Sequence, residues 1–310
     1  MLEKKGLVYR STGSWYEVRD ANGDFFSCRL KGKFKIKDLK VTNPLAVGDE
    51  VSFFIEDGEE GTGVIFEISP RKNYIIRKSV HKTAHGHLLA CNLDQLVLIV
   101  TLANPKTSLG FIDRMLVTAE TFRIPVLIVF NKIDLLPKEG IEYQDVLIDL
   151  YTSLGYGCLV TSATTLQGTD DLMAALENKI SLVSGHSGVG KSTLINILDP
   201  ELDLATNEIS TFANKGVHTT TFAEMYEIKA NSYIIDSPGI KELGLMDVSQ
   251  SELAHYFPEF RDLLGECKFH NCLHINEPKC AVKDAVEAGE ISETRYMSYL
   301  SMFDNHDNRR

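Results

Sequence analysis

Gly185-His186-Ser187-Gly188-Val189-Gly190-Lys191-Ser192 has the spacing of a loop that wraps its backbone around a polyphosphate. Its glycines let successive N–H groups turn inward where a Cβ would intrude, and nested amides of that kind form a hollow for anions. Ile180-Ser181-Leu182-Val183-Ser184 ahead of the loop reads as a short buried strand. Ser192, Thr193 and the apolar run to Leu198 read as a helix that Pro200 stops, and its N-terminus adds partial positive charge to the hollow. In that frame Lys191 reaches the β- and γ-phosphates of a nucleotide and the Ser192 hydroxyl ligates Mg²⁺. A glycine-rich turn without a ligand is the plain alternative, and the complete match between strand and helix outweighs it.

A second group of residues reads a base. Asn131-Lys132-Ile133-Asp134 follows Pro125-Val126-Leu127-Ile128-Val129-Phe130, an apolar run of strand length, and the carboxyl end of a parallel strand is where open α/β sheets bind ligands. The Asp134 carboxylate can accept from guanine N1–H and the 2-amino group together. Adenine lacks that pair of donors and would leave the carboxylate unpaired. Asn131 braces the loop, and the Lys132 stem covers the base face. Thr161-Ser162-Ala163, after the strand-like Gly157-Cys158-Leu159-Val160, supplies the companion loop, with the Ala163 N–H aimed at guanine O6. Thr164 stands where a base-stacking Lys is common. Alone, the tetrapeptide from Asn131 would equally suit a solvated turn.

Asp236-Ser237-Pro238-Gly239 follows the strand-like Ser232-Tyr233-Ile234-Ile235. Here Asp236 would hold Mg²⁺ through water, and the Gly239 N–H would bond the γ-phosphate. Gly216-Val217-His218-Thr219-Thr220-Thr221 offers threonines to sense Mg²⁺ and the γ-phosphate. Thr220 is the first choice and Thr219 the second. The run also suits an edge strand, because Thr favours strands. Residues 205–215 are polar and aperiodic, which suits a loop ordered by triphosphate. Ile240 occupies the place where many such hydrolases carry a water-positioning Gln, so intrinsic hydrolysis is expected to be slow. His218, beside the threonines, is the group expected to hold the attacking water, with Lys191 and Thr220 completing the catalytic set. The bland alternative is that His218 packs or touches RNA.

The order of these elements is unusual. An ordinary GTPase runs from phosphate loop through the switches to the guanine reader, and here the guanine reader comes first. Such a chain looks like a GTPase domain whose ends were joined and which was reopened after the second switch. Its function is then coupled to whatever hangs on the new ends.

Cys267-Lys268-Phe269-His270-Asn271-Cys272-Leu273-His274 followed by Cys280 offers three thiolates and an imidazole, enough for one closed tetrahedral Zn²⁺ site at Cys267, Cys272, His274 and Cys280. His270 is a spare that either faces solvent or replaces His274, and a disulfide with a loose thiol is the alternative. No signal peptide or long apolar run is apparent, so the chain reads as cytoplasmic and its thiols as reduced. Cys91 and Cys158 adjoin apolar runs and read as core.

The 310 residues leave room for two or three domains, and the net charge of −11 argues against a generic nucleic-acid coat while leaving local patches free to act. The expected architecture is an N-terminal OB-like β-barrel over residues 1–72, a circularly permuted α/β P-loop GTPase domain over 73–248 and a zinc-binding helical module over 249–310. The barrel rests on short strands such as Leu7-Val8-Tyr9, Trp15-Tyr16-Glu17-Val18, Phe25-Phe26-Ser27-Cys28 and Glu50-Val51-Ser52-Phe53-Phe54. Lys31, Lys33, Lys35 and Lys37 alternate with Gly32, Phe34 and Ile36, which puts the lysines on one face of a strand. That face is either a contact for RNA or simply solvated. Residues 73–90 form a basic, His-rich stretch that reads as a link, and Val282 through Phe303 read as one amphipathic helix.

Taken together, the motif order, the Gly216-to-Thr221 run, Asp236-Ser237-Pro238-Gly239 and the cysteine cluster resemble the circularly permuted GTPases of small-ribosomal-subunit biogenesis, the RsgA family. The resemblance spans nearly the whole chain. It implies a bacterial cytoplasmic GTPase that acts late in 30S maturation, binds 16S rRNA near the decoding region, and is stimulated and then released by the subunit. Val217 departs from the Arg common before the His, so that Arg's contact is absent. Two other readings are an RNA-binding protein that uses GTP as a structural ligand and a P-loop kinase. The intact magnesium and γ-phosphate residues oppose the first, and the guanine reader opposes the second. No second protein chain is called for, and the protein is expected to be monomeric.

Overall fold

The computed structural model describes residues 2–32, 41–56, 61–78, 86–202, 223–229, 231–236 and 248–304. Five strands open the chain: β1 (Glu3–Ser11), β2 (Tyr16–Asp20), β3 (Phe25–Leu30), β4 (Glu50–Ile55) and β5 (Thr62–Ile68). Their alternating inward positions, among them Val8, Val18, Phe26, Val51, Phe53 and Ile65, fill one interior. β1 pairs with β2, β2 with β3, β3 in parallel with β5, β5 with β4, and β4 returns to β1, so the sheet closes into a barrel. Closure removes the exposed edges that a sheet this small would otherwise carry.

β3 ends at Leu30, and Gly32 takes φ +74°, a left-handed conformation. Lys31 is exposed, and Lys33, Lys35 and Lys37 lie outside the described residues.

The basic stretch expected to be a link is a hairpin. β6 (Tyr74–Lys78) pairs with β7 (Gly86–Cys91), and Ile76, Leu88 and Cys91 bury a small core with Ala46. Arg71, just ahead of the hairpin, is structural. It donates from Nε and Nη2 to the buried Asp49 carboxylate at 2.6 and 2.7 Å, and to Pro44 O at 2.8 Å.

β8 (Gln95–Val100), β9 (Val126–Phe130), β10 (Gly157–Val160) and β11 (Ile180–Ser184) are parallel. Between and after them come α1 (Leu109–Thr121), α2 (Lys138–Ser153), α3 (Thr169–Leu176) and α4 (Lys191–Leu198). β12 (Glu224–Lys229) and β13 (Ser232–Asp236) form an antiparallel hairpin whose second strand lies parallel to β11. The sheet runs β10-β9-β8-β11-β13-β12, so the strand feeding the phosphate loop sits at its centre although it is reached late in the chain. α1 and α2 pack one face through Ile112, Met115, Leu116, Leu147 and Tyr151, and α3 and α4 pack the other through Leu172, Leu176, Leu194 and Ile195. The sheet is doubly wound, as the alternation of elements requires. A pairing of Arg10 with Glu224 joins β1 to β12 and makes barrel and sheet continuous.

Beyond residue 248 lie α5 (Pro258–Arg261), α6 (Ala281–Glu287) and α7 (Glu293–Phe303). The single helix expected over residues 282–303 is two, because Gly289 takes φ +77° and turns the chain. Phe257, Phe260, Val282, Tyr299 and Met302 pack with Val117 of α1. At the same contact the fully buried Arg295 donates to Asp113 Oδ1 at 2.7 Å, and to Glu259 Oε1 and Oε2 at 2.7 and 3.1 Å. Its guanidinium also lies 4.7 Å from the Phe257 ring centre, and Tyr151 donates to Asp113 at 3.1 Å. Among the described residues, no helix is long and apolar enough to cross a membrane. Removing one partner from a buried ionic group strands the others, so Arg295→Ala should lower unfolding free energy by about 3–5 kcal/mol. Urea denaturation of the full chain checks this.

Candidate functional site

The carboxyl ends of β8, β9, β10, β11 and β13 lie along one edge of the sheet, and the candidate residues cluster there. After β11 the chain turns through residues 185–190 before α4 begins. Gly190 has φ +95°, and a Cβ on it would stand 2.5 Å from Asn131 Nδ2. Only glycine satisfies both the turn and that approach. Lys191 Nζ donates to the carbonyls of Gly185 and His186 at 2.8 and 2.7 Å, so the ammonium lies over the mouth of the loop. The His186 ring stacks on Phe111 of α1 with centroids 3.9 Å apart. Ser187, Gly188 and Val189 complete the turn, and Ser192 and Thr193 form the first turn of α4.

Asn131 is buried and joins the separate loops. Its Nδ2 donates to Val189 O at 2.8 Å, and its Oδ1 accepts from Thr161 Oγ1 at 3.0 Å. Asp134 is exposed at the rim, and its Oδ1 accepts from Ser162 Oγ at 2.6 Å. Ser162 thus aims the carboxylate as well as standing beside Ala163. The Lys132 ammonium donates to Asn104 O at 2.7 Å.

That last contact brings in a turn the sequence reading missed. Residues 101–107 fold back after β8. Thr107 N donates to Thr101 O at 2.8 Å, Thr101 N donates to Thr107 Oγ1 at 3.1 Å, and a Cβ on Gly188 would meet Pro105 at 3.5 Å. The signal was present: Asn104-Pro105 after an apolar strand is a turn-forming pair.

Asp236 ends β13 in register with Val183 of β11, beside the phosphate loop. Burial pushes its carboxyl above the ordinary range, the nearby Lys191 opposes that, and Glu224 adds to it. A hydroxyl from Ser192 and a carboxylate from Asp236 form an all-oxygen donor set of the kind Mg²⁺ takes. His218, Thr219, Thr220, Gly239 and Ile240 lie outside the described residues.

The ligand atoms of Cys267, Cys272, His274 and Cys280 lie within 4.8 Å of one another. Cys267 and Cys280 sulfurs are 3.9 Å apart, and His274 Nδ1 is 3.6 and 3.4 Å from them. A tetrahedron with Zn–S bonds of about 2.3 Å has sulfur–sulfur edges of about 3.8 Å, whereas a disulfide needs about 2.05 Å. The donor set therefore fits Zn²⁺, and every cysteine is free. Burial pushes the Cys272 thiol up to about 12, so thiolates here require a cation beside them. The Glu277 carboxylate accepts from Leu273 N and Ile275 N, both at 2.9 Å, and Tyr296 OH donates to His274 O at 2.6 Å, which shapes the knuckle. His270 is exposed.

Residues 68–246 match the family model described as RsgA GTPase, and residues 5–64 match the RsgA N-terminal domain. The chain belongs to the RsgA family of GTPases. A small ribosomal subunit biogenesis GTPase RsgA of Cytophaga hutchinsonii is 56% identical over 99% of this chain and 100% of its own length. The like-named protein of Christiangramia forsetii is 51% identical over 98% of this chain and 96% of its own. Among solved structures, YjeQ from Thermotoga maritima is 35% identical with a TM-score of 0.80, each chain covered in full. YloQ, described as a circularly permuted GTPase, is 28% identical with a TM-score of 0.75 over 100% of this chain and 96% of its own. Membership of the RsgA family carries GTP, GDP and Mg²⁺ with it.

Two variants test the pocket and the cluster. Asp134→Asn exchanges one acceptor oxygen for a donor amide, which suits the 2-carbonyl of xanthine. GTP affinity should fall and xanthosine-triphosphate binding should appear in competition titrations. Cys272→Ala should release the metal, read by emission spectrometry of purified protein. Proteolysis should then cut the C-terminal module while nucleotide binding largely survives.

Proposed function

We propose that this chain is a GTP-hydrolysing assembly factor that acts late in maturation of the 30S subunit and binds 16S rRNA, with hydrolysis stimulated by the subunit. The observation that carries the reading is the buried Asn131 amide, which holds the base-reading and phosphate-reading loops as one pocket. The relatives' names, small ribosomal subunit biogenesis GTPase, support the assembly role. We assign residues 1–72 to the RNA-binding barrel, 73–248 to the permuted GTPase domain and 249–310 to the zinc-binding domain. The protein would work in the cytoplasm as a monomer.

Asp134 and Ala163 would read guanine, aided by Asn131, Lys132 and Ser162. Residues 185–193 and the Gly239 N–H would surround the phosphates. Lys191 would draw off charge as the bond to the γ-phosphate breaks. Mg²⁺ at Ser192, Thr220 and Asp236 would neutralise the β- and γ-phosphate oxygens. His218 would accept a hydrogen bond from the attacking water and hold it in line, a placement Ile240 cannot supply. One Zn²⁺ at Cys267, Cys272, His274 and Cys280 would stiffen the C-terminal module. Lys31, Lys33, Lys35 and Lys37 would add phosphate contacts to RNA.

Two linked measurements test this. Sedimentation with purified 30S, 50S and 70S particles should show 30S binding that is tighter with a non-hydrolysable GTP analogue than with GDP. His218→Ala, assayed at saturating GTP, should keep GTP and 30S binding but lose most of the subunit-stimulated turnover, on the order of 10²- to 10⁴-fold. Unchanged turnover per bound complex would move the water to another group. Equal binding to all particles in every nucleotide state would remove the assembly reading.

A further inference from the structure

The hairpin β12–β13 spans the two ends of the phosphate-sensing machinery. β12 begins three residues past Thr221, where the threonine run ends, and β13 finishes on Asp236. Glu224 and Asp236 stand directly opposite each other in the ladder. Like charges so placed repel, so the pair needs cations on both sides. Lys191 serves Asp236 from the phosphate loop. The cation at Glu224 comes from the barrel: Arg10 Nε lies 3.9 Å from Glu224 Oε2, at the residue pair that joins β1 to β12.

A second arginine grips the same strand. Arg19 of β2 pairs with Glu227, and the same Nη1 donates to Tyr9 OH at 2.9 Å. Arg19 also lies 5.6 and 5.7 Å from the Tyr9 and Phe25 ring centres, and Tyr9 meets Tyr233 of β13 edge-on at 6.0 Å. Both strands of the hairpin are therefore held from the barrel side. A cleft of about 480 Å³, lined by Lys5, Arg19, Glu50, Glu227 and Tyr233 among others, runs beside the contact. Ion pairs and ring edges line this part of the seam, beside the buried Tyr9 ring that shares an apolar cluster with Met225 and Ile235.

We propose that Arg19 and Arg10 are positioning residues for the magnesium-site carboxylate: by clasping Glu227 and Glu224 they set where the hairpin, and hence Asp236, sits against the phosphate loop. The seating of the barrel and the hold on Mg²⁺-nucleotide are then two readings of one equilibrium. By reciprocity, whatever shifts the barrel changes Mg²⁺ affinity by the factor with which Mg²⁺-nucleotide shifts the barrel. A contact made on the barrel would reach the nucleotide through this clasp without touching it.

The inference rests on the assignment of Asp236 to Mg²⁺, and the experiment separates the two. Release of a fluorescent GDP analogue from the full chain is followed while Mg²⁺ is titrated. Hydrogen exchange is read over residues 232–236. In Arg19→Ala the half-saturating Mg²⁺ should rise about three- to tenfold and β13 should exchange faster. Arg10→Ala, an exposed change with little risk to folding, should move both in the same direction. GDP affinity in excess chelator, which reports the guanine loop, should stay within about twofold of the parent. The charge exchange Arg19→Glu with Glu227→Arg keeps the net charge and should restore much of the parental Mg²⁺ dependence. An unmoved Mg²⁺ dependence in both single variants overturns the proposal. So does a shift that the charge exchange fails to reverse, since lost packing would then explain it. If Asp236→Asn leaves the Mg²⁺ dependence unmoved, the magnesium assignment itself falls.

Discussion

One buried carboxamide holds the nucleotide pocket together. Asn131 donates to the phosphate loop and accepts from Thr161, so three loops from three different strands share a single hydrogen-bonding centre. Burial makes those bonds costly to break, because neither the amide nor its partners can turn to water. The requirement spreads outward. Gly190 must lack a side chain to admit the amide. The parallel register of β9 beside β8 and β10 must deliver Asn131 and Thr161 to the same height. Such a centre does not care in which order the chain visits its loops, and that indifference lets a permuted chain build the same pocket.

Permutation does change what the pocket is attached to. The C-terminal module follows the second switch in the chain, which suggests a lever pulled directly by the γ-phosphate. Its buried hold, however, is on α1, where Arg295, braced by Glu259 of its own module, reaches Asp113 in a dry, aromatic setting. Arg261 adds a more exposed pair with Glu120 of the same helix. α1 is also the helix whose Phe111 stacks on His186 of the phosphate loop. The barrel, by contrast, meets the switch hairpin through partly exposed pairs. One appendage is fastened to α1 and the other to the β12–β13 hairpin.

Much of this was legible before any coordinates. The phosphate loop, the base reader and the cysteine cluster were found because each needs fixed residue types at short, fixed spacing, and β11 and β10 were placed residue for residue by apolar runs bounded by turns. What escaped reading depended on distant partners or on single backbone angles. Gly289 divides the last helix, and there one left-handed residue overrode a periodicity that counted side chains alone. The basic stretch around Arg77 became a hairpin because Ile76 and Leu88 found Ala46 across the fold. Arg71 and Arg295 carry no local sequence signal of burial, and only the structure pairs them with buried carboxylates. Ser162 as the group that aims Asp134 needed the two loops in contact.

The placement of β11 bears on how the molecule is made. β8, β9 and β10 leave the ribosome before it, yet β11 is the strand that lies between β8 and β13. Until it arrives, the edge of β8, apolar along Leu96, Val97, Leu98, Ile99 and Val100, has no neighbour. Unpaired edges of that kind recruit other chains. A newborn copy therefore passes through a stage in which β8 is the open edge of a three-stranded sheet, β10-β9-β8. The same event covers the β8 edge and delivers the phosphate loop, and β13 then closes the far side of β11.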